Sequence, residues 1–180
     1  MGNRKKILAI SGSTRQHSSN HYLIKAIAGL FADRLEIKLF ESIAALPHFN
    51  PDNNFDETPK EVTHFRDQLK ASNGIIICTP EYAHGIPGSL KNAIDWTVSS
   101  GEFSHKPTVL ITASTDGKFA HNALLEVLKT IEAKNITTLQ LLIQFIRTKF
   151  DKNNTIKDEA TLADITKLIN DFISTMNEEV

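Results

Sequence analysis

Apolar runs alternate with amphipathic segments along the whole chain. Residues 6–10, 75–78 and 107–113 are almost continuously apolar, which is typical of strands covered on both faces of a parallel sheet. Residues 35–40 alternate apolar and charged side chains, which indicates a strand at a sheet edge. Residues 138–145 complete the set of predicted strands.

The segments between these strands place apolar residues at the three- and four-residue spacing of helices. We predict helices over residues 19–34, 58–72 and 89–98, one after residue 119, and one that closes the chain. The side chains expected to face inward in the first and third of these helices are Leu23, Ile27, Leu30, Phe31, Leu90, Ile94 and Val98.

The second helix is preceded by a long loop, residues 46–54, whose prolines and asparagines exclude regular structure. We expect this segment to carry Phe49 and Phe55 toward the surface. Thr58, followed by proline and then by Glu61, has the pattern of a capping box, and it predicts where the second helix begins.

Strands that alternate with helices are the signature of an α/β protein with a doubly wound parallel sheet. Right-handed crossovers with the first strand near the middle favour the strand order 2-1-3-4-5, which is the flavodoxin-like arrangement with helices on both faces. A length of 180 residues suits one domain, so we expect residues 1–180 to form a single unit.

Three unusual loops follow the first, third and fourth predicted strands. They cover residues 11–20, 80–88 and 114–119. Ligands in such sheets bind beyond the carboxyl ends of the strands, at the point where the strand order reverses. The sequence therefore predicts one ligand site built from these three loops.

The first loop has the composition of a phosphate site. Its hydroxyls, one amide and one guanidinium can all donate hydrogen bonds to an anion, and a helix N-terminus follows. The donors are Ser13, Arg15, Ser18, Ser19 and Asn20. The loop lacks the motifs of dinucleotide and triphosphate sites, so a monophosphate is favoured. The alternative is that Ser18 or Ser19 merely caps the helix and that Arg15 is a solvated surface charge.

The second loop combines two prolines with two glycines, which suits close approach to a planar ring. Tyr82 is a candidate to stack on that ring, and backbone N–H groups of residues 81–83 can reach its polar edge. The alternatives are that Tyr82 packs on its own loop, that Glu81 pairs or caps locally, and that His84 is a surface residue. In the third loop, Ser114 and Gly117 are candidates to contact the ligand, the alternative being an ordinary left-handed turn.

Composition narrows the function further. Lys plus Arg is 20 and Asp plus Glu is 21, a net charge of -1 that favours neither a nucleic-acid nor a membrane partner. The single cysteine, Cys78, lies in an apolar run and is expected to be a buried thiol. The seven histidines are scattered, so no metal site is expected. No secretion signal is apparent, and we expect a cytoplasmic protein.

Two motifs carry a resemblance to a known family. The first is Gly-Ser-Thr-Arg at residues 12–15 with Ser18 and Asn20, and the second is Thr-Pro-Glu-Tyr-Ala-His-Gly-Ile-Pro-Gly at residues 79–88. With residues 90–96 they resemble the NADPH-dependent FMN reductases, which include quinone, azo-dye and chromate reductases. The third loop departs from the glycine-richer stretch of many relatives, which leaves the acceptor side less defined.

The resemblance implies an FMN site. The phosphate would be held by Ser13, Arg15, Ser18, Ser19 and Asn20; the ring would be lined by Pro80, Glu81, Tyr82 and Ala83; and Ser114 and Gly117 would complete the site. Since the flavin carries the chemistry, no catalytic side chain is expected.

The implied activity is transfer of hydride from NADPH or NADH through FMN to a small acceptor, by a ping-pong mechanism. Quinones, azo compounds and flavins are the expected acceptors, with chromate a further candidate. A homodimer or tetramer is also implied, and Asn92, Trp96 and Phe103 are the residues expected at its contact. A flavodoxin-type electron carrier without NAD(P)H turnover and a flavin-free scaffold are the alternatives.

Overall fold

A computed structural model describes residues 4–41, 43–53 and 58–177. Five parallel strands form one sheet in the order β2-β1-β3-β4-β5. The strands are β1 (Lys5–Ser11), β2 (Leu35–Leu39), β3 (Gly74–Thr79), β4 (Thr108–Ala113) and β5 (Gln140–Ile143). The flavodoxin-like topology predicted from the alternation of apolar patterns is confirmed.

Helices cover both faces of the sheet. They are α1 (Ser19–Leu30), α2 (Lys60–Ala71), α3 (Gly88–Asp95), α4 (Lys118–Thr130) and α5 (Glu159–Asn177). One hydrophobic cluster lies under α1 and α5, and a second lies under α2, α3 and α4. No helix in the described ranges is long and apolar enough to cross a membrane.

Burial along the strands explains why their patterns of apolar and polar residues predict them correctly. Every residue of β3 and β4 is buried, because these strands have neighbours on both sides and helices on both faces. In β2, buried Leu35 is followed by exposed and half-buried residues, as expected for an edge strand. Cys78 is buried in β3, as predicted, and burial raises the pKa of its thiol.

Several local predictions were wrong. Leu30 is 50% exposed because α1 ends there and Phe31 takes the inward position, and Val98 is 58% exposed because α3 ends at Asp95. Pro59 rather than Thr58 occupies the N-cap of α2, and Pro59 makes no side-chain cap bond.

Aromatic residues around α3 also differ from expectation. Phe49 was expected to point outward, but its ring meets that of Trp96 edge-on with centroids 5.1 Å apart. Phe55 lies outside the described residues. Trp96 and Phe103 are buried in the core, and the Asn92 side chain binds Pro47 and Phe49 backbone atoms. Trp96 and Phe103 are therefore not exposed for contact with a second copy, whereas Asn92 is half-buried.

Candidate functional site

The first loop is held close to β3 by a glycine. The Gly12 N–H donates to the Cys78 carbonyl at 2.8 Å. A Cβ added to Gly12 would lie 2.3 Å from Oγ1 of Thr79, so only glycine allows this approach. The packing brings the loops that follow β1 and β3 side by side at the carboxyl edge of the sheet.

A cleft of about 540 Å³ opens at this edge, within the range typical of small-molecule sites. It is lined by Ser13, Arg15, Ser18, Ser19 and Asn20 of the first loop. It is also lined by Pro80, Glu81, Tyr82 and Ser114 of the other two loops. Nine of the eleven predicted site residues thus lie together, whereas Ala83 and Gly117 do not line the cleft.

Buried hydroxyls shape the first loop. Ser18 is the N-cap of α1, and its Oγ accepts a hydrogen bond from the Asn20 N–H at 3.2 Å. The Ser13 N–H donates to Oγ of Ser11 at 3.2 Å, and the Arg15 N–H donates to Oγ of Ser13 at 3.4 Å. The loop therefore keeps its shape through its own hydrogen bonds, and capping by Ser18 is compatible with a place in the cleft wall.

Asn20 joins three parts of the fold. Its Nδ2 donates to the Ala113 carbonyl at 3.2 Å, and its Oδ1 accepts from Sγ of Cys78 at 3.1 Å. These bonds fix the first turn of α1 against the ends of β3 and β4. Asn20 therefore orients the first loop, and its Nδ2 carries a second N–H besides the one bonded to Ala113.

The second loop makes a tight turn at the mouth of the cleft. Tyr82 and Gly85 exchange backbone hydrogen bonds of 3.1 and 2.9 Å. Ala83 and His84, between them, both have left-handed backbones, with φ of 47° and 57°. Tyr82 is 46% exposed, and its hydroxyl lies 3.5 Å from that of Ser13. The turn thus presents an open aromatic ring beside the first loop.

Glu81 ties the second loop to the third. Its N–H donates to Oγ of Ser114 at 3.2 Å, and its carboxylate accepts a hydrogen bond from the Ala120 N–H at 2.9 Å. Gly117, the N-cap of α4, has φ of 90° and no side chain that could cap the helix. Glu81 therefore provides the acceptor for the Ala120 N–H, which has no partner within the first turn of the helix. Glu81 and Gly117 both position the third loop.

We expect Glu81→Ala to destabilise the fold by about 1 kcal/mol, because the start of α4 loses its carboxylate cap. Chemical denaturation measures the change in the free energy of unfolding. Glu126→Ala is the matched control, since that exposed carboxylate pairs with Lys129 on the same helix. Equal stability of the two variants would contradict the capping role.

Part of the cleft was not predicted. The segment after β5, residues 145–154, forms its second wall and contributes Phe145, Ile146, Arg147, Thr148, Phe150, Asp151 and Asn154. Phe145 adopts a left-handed backbone, with φ of 52°, and is 60% exposed. The sequence of this segment predicts the end of a strand followed by a polar turn. No local motif indicates that the segment faces the first loop.

Two histidines lie near the third loop. The ring of His84 stacks on that of Phe119, with centroids 4.4 Å apart and planes 22° apart. His121 is buried, with Nδ1 2.9 Å from Oγ1 of Thr112 and Nε2 2.9 Å from Oε1 of Gln140. Burial lowers the pKa of His121, against the opposing effect of the bond to Gln140.

We expect stability to fall as the pH drops through the ordinary histidine pKa of about 6.5. Below that pH the unfolded chain binds a proton at His121, whereas the native state resists protonation down to a lower pH. Denaturation at several pH values between 7.5 and 5 measures how steeply the free energy of unfolding changes with pH. His121→Gln should flatten it, with His48→Gln as the control for loss of an exposed histidine. An unchanged slope in His121→Gln would exclude this contribution.

The arrangement fits a phosphate-bearing planar ligand. Hydroxyls and a helix N-terminus lie at one part of the cleft, and an exposed tyrosine with stiff, proline-bounded backbone lies at another. Within the described residues, no group of three or more histidine, cysteine or carboxylate side chains is arranged to hold a metal.

A doubly wound parallel sheet with its cleft where the strand order reverses defines a protein of the flavodoxin-like class. Residues 5–148 match the family model of NADPH-dependent FMN reductases. The chain belongs to this family, and it is therefore an oxidoreductase of a flavin-dependent group.

Similar proteins span nearly the whole chain. An NADH-dependent flavin reductase subunit 2 of Lactobacillus johnsonii is 31% identical over 179 residues, 93% of this chain and 95% of that protein. A quinone reductase of Escherichia coli is 26% identical, over 96% of this chain and 95% of its own length. The flavoenzyme FerB of Paracoccus denitrificans, an NAD(P)H:(acceptor) oxidoreductase, superimposes with a TM-score of 0.79 at 25% identity, covering 97% of this chain and 98% of that one.

Proposed function

We propose that this protein oxidises NADH or NADPH with FMN held in the cleft and reduces small acceptors in a ping-pong cycle. The observation that carries the proposal is that loops from β1, β3 and β4 meet at one cleft in a chain of the FMN reductase family. When bound, FMN supplies the redox chemistry, accepting hydride from the nicotinamide and giving electrons to the acceptor.

The chain's own residues bind and orient the cofactor in this proposal. Ser13, Ser18 and Ser19 offer hydroxyls to the phosphate, and Arg15 offers an exposed guanidinium. Within the described residues that guanidinium makes no hydrogen bond or ion pair. Asn20 keeps the loop in place through its bonds to β3 and β4.

Pro80 and Tyr82 line the ring, with Ala83 at the adjoining turn, while Glu81, Ser114 and Gly117 hold the second and third loops together. The N–H groups of Glu81 and Tyr82 donate to Ser114 and Gly85, which leaves the Ala83 N–H for the polar edge of the ring. No side chain needs to move a proton. One ring face stays open in this arrangement, so that nicotinamide and acceptor occupy the same place in turn.

Quinones, azo compounds and free flavins are the proposed acceptors, because relatives are named flavin reductase, quinone reductase and azoreductase. Chromate is a further proposed acceptor, which the sequence resemblance alone suggests. A cytoplasmic homodimer or tetramer is the proposed state. Its contact must use residues other than the buried Trp96 and Phe103.

Steady-state kinetics test the ping-pong cycle. Initial rates are measured with NADH or NADPH varied at several fixed concentrations of a benzoquinone. Parallel lines in double-reciprocal plots are expected, because reduced cofactor forms before the acceptor binds. Intersecting lines would contradict the proposal by showing that both substrates occupy the site together.

A further inference from the structure

The second wall of the cleft is anchored at both ends. The N–H groups of Phe145 and Ile146 donate to the carbonyls of Thr115 and Ser114, each at 3.1 Å. Further along, the Phe150 ring packs edge-on against Tyr22 in the first turn of α1, with centroids 6.4 Å apart. The wall therefore runs from the third loop to the start of α1.

Arg147 lies on the wall between these two anchors. One residue before it, Ile146 is bonded to Ser114, and three residues after it, Phe150 packs beside the helix start that Ser18 caps. Arg147 lines the same cleft as Arg15 of the first loop. The fold thus brings two guanidinium groups from distant parts of the chain to one cleft.

Neither guanidinium is paired with a carboxylate among the residues that the structure describes. Among the described residues, Arg15 and Arg147 take part in no hydrogen bond or ion pair through their side chains. The two carboxylates in the cleft each accept from backbone N–H groups rather than from an arginine: Oε2 of Glu81 accepts from the Ala120 N–H, and Oδ1 of Asp151 accepts from the N–H groups two and four residues later. Two guanidinium groups that form no ion pair with a described residue match a ligand with a doubly charged anionic group.

We propose that Arg147 is a second phosphate-binding residue, which meets the phosphate monoester of the cofactor from the second wall of the cleft, in addition to Arg15 of the first loop. The inference rests on the proposed function and deepens it, since it adds a binding group from outside the recognised motifs. The arginine fork can donate to two phosphate oxygens at once. A phosphate of the nicotinamide coenzyme offers the same chemistry, so the test must separate the two sources.

The full-length chain freed of flavin is titrated with FMN and, separately, with riboflavin, and flavin fluorescence quenching gives each dissociation constant. We expect Arg147→Ala and Arg147→Gln to weaken FMN binding by about 10- to 150-fold, the range for a hydrogen bond to a charged group. Riboflavin, which lacks the phosphate, should bind all variants within about threefold of the wild type. Lys152→Ala, which removes a cation from the same segment outside the cleft, is the matched control.

Unchanged FMN affinity in both Arg147 variants, with wild-type protein binding FMN, would overturn the inference and leave the proposed function intact. Equal weakening of FMN and riboflavin would overturn it as well, by placing Arg147 at the ring or in the fold. A third outcome would also overturn the inference: unchanged FMN affinity together with a KM that rises for NADPH but not for NADH. That result would assign Arg147 to the phosphate of the coenzyme. Wild-type protein that binds neither flavin would instead defeat the proposed function.

Discussion

Replacement of Arg15 by alanine is expected to weaken FMN binding by about 1.5 to 3 kcal/mol, or roughly 10- to 150-fold. The guanidinium lines the cleft beside Ser18 and Ser19 and has no partner among the described residues. Its loss therefore removes a charged hydrogen bond to the phosphate without breaking a contact within the protein. Titration with FMN, followed by fluorescence quenching, measures the change.

Arg15→Lys should recover part of the affinity, because a lysine keeps the charge but lacks the planar fork. Lys25→Ala is the matched control, since this exposed residue of α1 lies outside the cleft. Wild-type FMN affinity in Arg15→Ala would show that Arg15 is a solvated surface charge, the alternative that the sequence leaves open.

Replacement of Gly12 by alanine is expected to destabilise the protein by about 1 to 3 kcal/mol, the usual cost of overpacking. The new Cβ would lie 2.3 Å from Oγ1 and 2.8 Å from Cβ of Thr79. Thr79 is fully buried, and its hydroxyl donates to the Pro80 carbonyl at 3.0 Å, so it has little room to yield. The first loop must move away from β3, and FMN affinity should fall together with stability.

Gly88→Ala is the control for this substitution. A Cβ at that position meets no atom within 4 Å, and its φ is not left-handed. Its stability should stay within about 0.5 kcal/mol of the wild type. Thermal or chemical denaturation of both variants measures the difference, and a Gly12→Ala protein as stable as Gly88→Ala would refute the close-packing argument.

The sequence predicted the sheet because each strand is readable from its own residues. The run from Ile75 to Cys78 is apolar on both faces, which only a central strand requires, and Leu35 begins an alternation that only an edge strand tolerates. Once the strand order is known, the topology alone places the three loops together at the carboxyl edge of the sheet. Nine predicted site residues therefore line the cleft without any information on distances.

The remaining features depend on contacts between distant segments. Nothing near Glu81 indicates that its carboxylate caps a helix that begins at Lys118. Asn20 is predicted as a phosphate donor, and nothing near it in the sequence indicates that its amide also binds Ala113 and Cys78. Arg147 lies in a segment without a motif, and its place in the cleft follows from the packing of Phe150 on Tyr22.

Anaerobic reduction tests the central claim most directly. The purified protein is reconstituted with FMN and mixed without oxygen with NADH or NADPH, and the flavin absorbance near 450 nm is followed. We expect the yellow colour to bleach with at least one nicotinamide and to return when a quinone is added. Protein that binds FMN but is bleached by neither nicotinamide would contradict the reductase assignment and favour the electron-carrier alternative.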